Sequence, residues 1–324
     1  MRALLLLAVL YFSALSAQGS LFDALHAESA GVEIRLKTDW RKLVRTKKKK
    51  TYQPVVVTVM VGGKSHTFNG KLRSRGNVRL EVCQNPSLKL KLKKEELAAA
   101  GFNDLNDLKF VLQCSAGAQG LGYLSREQAV YDLHAVYSDY THRTVPVSLN
   151  LNDKETISAF LIEDQEQIAA RLNARVLETR NLSTRGLRRT AYVNMCLFNY
   201  LILNTDWHVF NLHNLKFVSP DDGGRLIPVP YDFDYSGFVG AHYAIPREEL
   251  SIGSVHVPKW LGKNVTPAEI KTGAEHYLAR RALAEQLIRE HPGLAERDRK
   301  RIMKRFKAFY RLLEDDKRLL RLIK

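Results

Sequence analysis

Only three cysteines occur in the 324 residues, none in a CxxC pair, and no two of the ten histidines stand at HxxxH spacing. A structural or catalytic zinc site therefore finds no support. Beyond the N-terminus no apolar run approaches the length that crosses a bilayer. GxSxG, GxxxxGK[ST] and GxGxxG are all missing, which removes the serine-hydrolase elbow, the P-loop and the dinucleotide fingerprint. Internal repeats and long low-complexity tracts are missing as well. Acidic residues are in deficit, 34 against 50 Lys and Arg, for a net charge of +16. Such a surface attracts anions, whether phosphates, nucleic acid, acidic proteins or lipid headgroups. Nucleic acid fits poorly, since no zinc-finger pattern or stacking motif accompanies the charge.

What is present is enough apolar residue for one large domain or two lobes. Met1-Arg2 followed by the apolar run Ala3 to Ala17 reads as a signal peptide, with cleavage near Ala17-Gln18-Gly19 or Ala14-Leu15-Ser16. The expected residence is secreted or periplasmic. In an oxidising compartment a cysteine pair tends to be bridged. Cys83 and Cys114 each lie beside a strand-like run and form the expected disulfide, while Cys196 sits within an apolar helical pattern as a packed thiol.

Strand signals fall at Gly31 to Leu36, Pro54 to Val61 and His66 to Leu72, the last leading into Arg73-Ser-Arg-Gly-Asn77. A short Gly turn flanked by Arg can offer backbone N–H groups and positive charge to phosphates. Pro86 to Leu92 alternates strictly, so its leucines share one face and Lys89 and Lys91 the other. Leu108 to Leu112 is another apolar strand. Leu124 to Val136 reads as a helix capped by Ser125, with Glu127 in its first turn, where the helix dipole favours it. Val145 to Leu149 and Ile157 to Ile162 follow as a strand pair, then helical runs Gln165 to Leu177 and Leu187 to Leu203. From Val265 onward the chain reads as helical: Thr266-Pro-Ala-Glu269 is a capped start and His291-Pro-Gly293 a break.

The most informative stretch is Asn204 to Phe238. Asp206 precedes Asn211 and Asn214, the strand-like run Asn214 to Val218 follows, and after the turn Ser219 to Gly224 a second strand, Leu226 to Val229, ends at Pro230. Asp232 and Asp234 lie just beyond. A hairpin of this kind gathers oxygen ligands at one end, as suits Mg²⁺, which one or two carboxylates plus substrate phosphates usually hold. In an extended Tyr231-Asp232-Phe233-Asp234, both aspartates would face the same side and reach one cation.

These residues resemble the CotH-type family of secreted atypical kinases. The similarity lies in Asp206-Trp207, His213-Asn214 and Pro230-Tyr231-Asp232-Phe233-Asp234, together with Arg75-Gly76-Asn77, and spans roughly Arg73 to Phe238. The resemblance implies an α+β, two-lobed, atypical kinase-like fold. A sheet-rich N-terminal lobe (20–162) would follow a signal peptide (1–19), and a mainly helical lobe (163–324) would carry the hairpin. It implies transfer of the γ-phosphoryl of ATP to a hydroxyl, expected on a protein, with Mg or Mn. Asp206 would orient the hydroxyl, as one Asp does in phosphoryl transfer generally. Metal would be held by Asn214 and Asp232, with Asn211 competing for the amide role and Asp234 shaping the turn or holding a second ion. Lys89, with Lys91 a close second, and Arg75 would meet phosphates. Glu127 would pair with Lys89, and backbone groups near Glu163, at the hinge, would meet adenine. The alternative is a non-catalytic envelope module binding an anionic polymer through its basic surface, Arg299, Lys300 and Arg301 included.

Overall fold

The computed structural model describes residues 18–28, 31–221 and 223–324. The expected signal segment falls almost wholly on residues 1–17, outside the described ones. Among the described residues no helix is long and apolar enough to cross a membrane.

The first part of the chain is a closed barrel. Its strands are β1 (Val32–Lys37), β2 (Gln53–Val61), β3 (Lys64–Arg75), β4 (Ser87–Leu92), β5 (Asp107–Leu112), β6 (Thr144–Leu151) and β7 (Glu155–Ile162), in the order β1-β2-β3-β4-β5-β7-β6. Neighbours run antiparallel except β6 and β1, whose parallel pairing closes the ring. Alternation drives the closure: Ile34, Val57, Leu72, Leu90, Phe110, Leu149 and Leu161 all point inward and together leave no open edge. Short helices α1 (Leu21–Ala27), α2 (Trp40–Arg45), α3 (Val78–Val82) and α4 (Lys94–Ala99) precede and interrupt the strands. The expected disulfide, Cys83–Cys114, joins the segment after α3 to the end of β5, with Cα atoms 4.7 Å apart. Cys196 is buried and free, its thiol pushed up to about 12 by burial.

Two segments depart from the sequence reading. Helix α5 spans Gly117–Tyr137, so it begins well before Leu124 and Ser125 is not its cap. Its early glycines hide the start, and one of them is required: a Cβ on Gly120 would lie 2.1 Å from the Ser115 carbonyl oxygen. Glu127 consequently sits mid-helix, away from the N-terminal dipole. The second departure is the run after Asp164. Helix α6 (Gln165–Arg171) stops early, Asn173 takes a left-handed φ of 45°, and the chain becomes β8 (Ala174–Leu177). With β9 (Leu215–Pro220) and β10 (Ile227–Pro230) it makes a three-stranded antiparallel sheet, ordered β10-β9-β8.

The remaining helices are α7 (Arg189–Leu201), α8 (Pro267–Ala279), α9 (Arg281–Glu290), α10 (Glu296–Leu313) and α11 (Asp316–Leu322). The expected capping box is present, the Thr266 side chain accepting from the Glu269 N–H. These helices share a second core with α5: Tyr131, Leu133 and Tyr137 pack with Phe198, Phe233, Tyr277, Phe306 and Phe309. Although α5 precedes β6 in sequence, its apolar face belongs to the helical core, not to the barrel interior.

Candidate active site

The carboxylates are gathered where α7 ends and the β9–β10 hairpin begins and ends. The Asn204 side chain bonds to Asn199 inside α7 at 2.8 Å and accepts the Asp206 N–H at 3.0 Å, which orients the turn out of the helix. His208 and His213 then pair through their backbones, each N–H on the other's carbonyl at 3.0 Å. That small loop returns the chain to Asp206. The His213 Nε2 lies 2.8 Å from Asp206 Oδ1, and the Asn214 Nδ2 donates to Asp206 Oδ2 at 2.9 Å and to its carbonyl at 2.8 Å. The bond to Asp206 raises the pKa of His213 above the ordinary imidazole value. Asn214, not Asn211, is thus brought to Asp206; Asn211 is exposed at the loop tip, its N–H on His208 Nδ1.

At the far end of the hairpin the Tyr231 N–H donates to the Asn214 carbonyl at 3.1 Å, which sets the two strand ends side by side. Asn214 and Asp232 both adopt left-handed φ values, 50° and 61°. Asn and Asp are the non-glycine residues that tolerate this best. The left-handed turn overturns the extended reading of residues 231–234. Asp232 is exposed, whereas Asp234 is buried among the Tyr243 hydroxyl at 2.9 Å and Arg79 Nε at 3.6 Å. Phe233, between them, anchors the turn against Tyr131 at 4.8 Å and Phe198 at 5.7 Å. The Asp232 N–H donates to the Tyr131 hydroxyl at 2.9 Å, tying this turn to α5.

One helical turn before Tyr131 lies Glu127, fully buried. Its cation is not Lys89 but Arg79, from α3, with Nη2 at 3.1 Å from Oε2. That approach is an ion pair, and neither atom has a further hydrogen-bond partner. Burial pushes Glu127 up to about 7, Arg79 opposing and the Asp232 charge adding. Asp234 is likewise held well above the carboxylate range, by burial and by Asp232.

Above these groups the outer face of the barrel carries a basic row. Pairing places Arg73 opposite Lys89 and Lys89 opposite Lys109, with Arg75 two residues along β3. Lys91 lies one pair further, between Lys71 and Asp107. Lys89 bonds to Asp107 at 2.6 Å, which keeps its pKa above the ordinary value although burial works against it. Lys109 bonds to Asp164 at 2.5 Å, yet burial outweighs that partner and lowers its pKa. Arg75, partly buried, makes no ion pair among the described residues, and its charge acts on both Glu127 and Lys109.

Glu163 stands at the passage from β7 into α6, with every polar group committed. Arg143 and Arg171 clamp its carboxylate at 2.7–2.9 Å, its N–H donates to the Arg143 carbonyl, and its own carbonyl meets His142 Nδ1 at 2.9 Å. The arginines hold the buried carboxyl below its usual range. The backbone and carboxylate of Glu163 are thus committed within the joint.

No family model matches the chain, and no curated protein matches it. Among solved structures it is similar to the crystal structure of a Helicobacter pylori proinflammatory kinase, CtkA. The identity is 9%, the TM-score 0.43, and the match covers 77% of this chain and 95% of that one. Similarity at this level transfers no residue role to this chain.

Several site residues escape sequence reasoning. Lys109 is one lysine in an apolar strand, and only the β4–β5 register aligns it with Lys89. Arg79 lies in a five-residue helix with no periodicity to betray it. Three arginines brace the carboxylate loops from outside: Arg126 Nε on the Val239 carbonyl (2.6 Å), Arg301 on those of Gly237 (2.7 Å) and Phe238 (2.5 Å), and Arg305 on those of Leu201 (3.1 Å) and Tyr200 (2.6 Å). Arg299 is also internal, on the His291 carbonyl at 2.8 Å. Of the three cations expected to meet an anionic polymer, Arg299 and Arg301 thus hold backbone carbonyls, and Lys300 is exposed beside Glu296 at 3.6 Å.

Proposed function

We propose that this chain is an atypical kinase of two-lobed organisation, working in an exported setting on a nucleotide held between barrel and helical core. The single observation that carries this reading is the Asp206–Asn214 pair at one end of a hairpin whose other strand delivers the exposed Asp232, with the Arg75, Lys89 and Lys109 row on the facing barrel. The Cys83–Cys114 bridge supports the compartment.

A divalent ion fits the donors in a particular way. Among the described residues no three His, Cys, Asp or Glu side chains converge. Mg²⁺ asks for less, one or two protein oxygens plus phosphates and water. The Asn214 amide nitrogen is engaged by Asp206, so its oxygen is the free end, and the Asp232 carboxylate has no hydrogen-bond partner among the described residues. These two would hold the ion, which when bound neutralises charge on the phosphates. Asp234, buried with Arg79 and Tyr243, shapes the turn.

In the transfer, the bond between the γ-phosphorus and its bridging oxygen breaks and ADP leaves with the electron pair. A new P–O bond forms to the acceptor hydroxyl, whose proton passes toward Asp206. His213 and Asn214 fix that carboxylate in place, and Arg75, Lys89 and Lys109 meet the phosphate charge. Glu127 acts through Arg79 on the position of Asp234.

Calorimetric titration with Mg²⁺ and a non-hydrolysable ATP analogue tests the site. Asp232→Asn is the informative variant because Asn keeps the left-handed backbone while removing the charge. It is expected to weaken binding at least about tenfold, the lower end of what losing even an outer-shell partner costs. Unchanged binding by Asp232→Asn, with loss in Asp234→Asn, would move the metal role to Asp234.

A further inference from the structure

The proposed reaction leaves its acceptor undefined, and the wall of the protein next to Asp206 bears on the question. A cavity of about 560 Å³ opens against the residues that follow Asp206, with Trp207, His208 and Phe210 on one side and Arg247, Trp260 and Lys263 on the other. Trp207 is buried and Phe210 half exposed, so the cavity offers an apolar floor with an open aromatic edge. Three N–H donors among its lining residues have no hydrogen-bond partner although the atoms are buried: Nε1 of Trp207, Nε1 of Trp260 and Nε of Arg247. Native folds rarely leave such donors unpaired. All three lie behind the cavity surface, beneath its aromatic and cationic lining.

The charge there is positive. Glu249, at the rim and mostly exposed, lies 3.5 Å from Arg247 and offsets it in part. Lys263 makes no ion pair among the described residues. Burial and these two cations also lower the pKa of His208. The wall is rigid without a ligand. The Lys263 N–H donates to the Tyr192 hydroxyl at 2.8 Å, Arg189 holds the Asn264 carbonyl at 2.5 Å, and the Trp260 indole abuts the Tyr200 ring at 6.1 Å. A preformed cavity, largely apolar with a few convergent polar groups, is the usual form of a recognition site.

We infer that this cavity docks the acceptor, and that the acceptor is a polypeptide segment carrying an apolar side chain and a carboxylate beside the hydroxyl that receives the phosphoryl group. An extended peptide matches the walls with an apolar side chain for the floor between the two tryptophans and an anion for Arg247 and Lys263. Trp207 in the cavity wall directly follows Asp206 in the chain, so the cavity and the proposed point of transfer share one loop. This inference rests on the phosphotransfer reading for the word acceptor, but docking is measurable without any nucleotide.

The experiment is fluorescence anisotropy on the full chain with two labelled probes, a short serine peptide bearing phenylalanine and two glutamates, and the same peptide with lysines replacing the glutamates. The glutamate peptide is expected to bind and the lysine peptide not. In the double variant Arg247→Glu with Lys263→Glu the glutamate peptide should weaken by roughly tenfold or more, and the lysine peptide should gain affinity, a gain that mere misfolding cannot give. Asp232→Asn should leave the glutamate peptide's affinity unchanged, so a failed nucleotide site and a failed docking site are told apart. Equal binding of both peptides, or a double variant that holds the glutamate peptide as tightly as the native chain, overturns the inference.

Discussion

Arg79 stands 3.1 Å from Glu127 and 3.6 Å from Asp234, and one guanidinium cannot neutralise two buried carboxylates with a third, Asp232, nearby. The cluster resolves the excess by holding protons, Glu127 being pushed up to about 7. The sign for stability follows directly. A carboxyl whose folded pKa lies above its unfolded value binds a proton that the unfolded chain has released. Its contribution is complete below the ordinary glutamate range and is lost as pH rises through about 7. The stability of the native chain relative to Glu127→Gln, read from urea midpoints between pH 5 and 8, should therefore fall as pH rises; His134 and His142, lowered by burial to about 3 and about 4, act in the opposite sense in both chains and cancel in that difference. An unaltered slope in the variant would mean that Glu127 ionises normally.

Among the elements, α10 has the least obvious task and the clearest geometry. Its arginines reach the carbonyls of residues 200, 201, 237 and 238, the two segments that carry Asp206 and Asp232. Those at Tyr200 and Leu201 end α7, where carbonyls lack helical partners. Arg305→Met should cost about 1–3 kcal/mol, chiefly by leaving the Leu201 carbonyl unpaired. Amide exchange through residues 202–206 should quicken, and exchange rates equal to the native ones would deny the brace. The disulfide is the other element-scale constraint, closing a separation of 31 residues. Reducing it should lower stability by about 3.7 kcal/mol in the chain-entropy model. A melting curve unmoved by reductant would contradict that.

The same elements show what can be read in advance. Period-two alternation at Leu88, Leu90 and Leu92 announces β4, the Ser219 to Gly224 breakers announce the hairpin, and the two bridged cysteines follow from their strand neighbours. Closure of the barrel is not legible, because the parallel β1–β6 pairing joins strands far apart in sequence. The partner of Glu127 escapes for a related reason: Lys89 is satisfied locally by Asp107, while Arg79 arrives from a separate helix. Asp232 and Asp234 part company because a single left-handed residue undoes the extended geometry on which shared facing depends. For α6 and β8, helical propensity through residue 177 yields to Asn173 and to a sheet edge that needs a third strand.

At the scale of the molecule, the net charge of +16 is not one binding surface. Part is spent inward, as Arg79, Arg301 and Arg305 hold carboxylates and carbonyls. Part lines the barrel face above the hairpin, and Arg247 and Lys263 flank the cavity beyond Asp206. An anionic nucleotide on one side of Asp206 and an acidic acceptor on the other would both be drawn by that distribution. The central claim is that this arrangement transfers phosphate, with Asp206 at the point of transfer. The most direct measurement is radiolabel transfer from γ-labelled ATP, with Mg²⁺ and separately with Mn²⁺, to the protein itself and to the glutamate-bearing serine peptide. Native chain should label at least one of them, and Asp206→Asn, which keeps the shape of the side chain and removes its charge, should not. No labelling with either metal, or equal labelling by Asp206→Asn, would contradict the account.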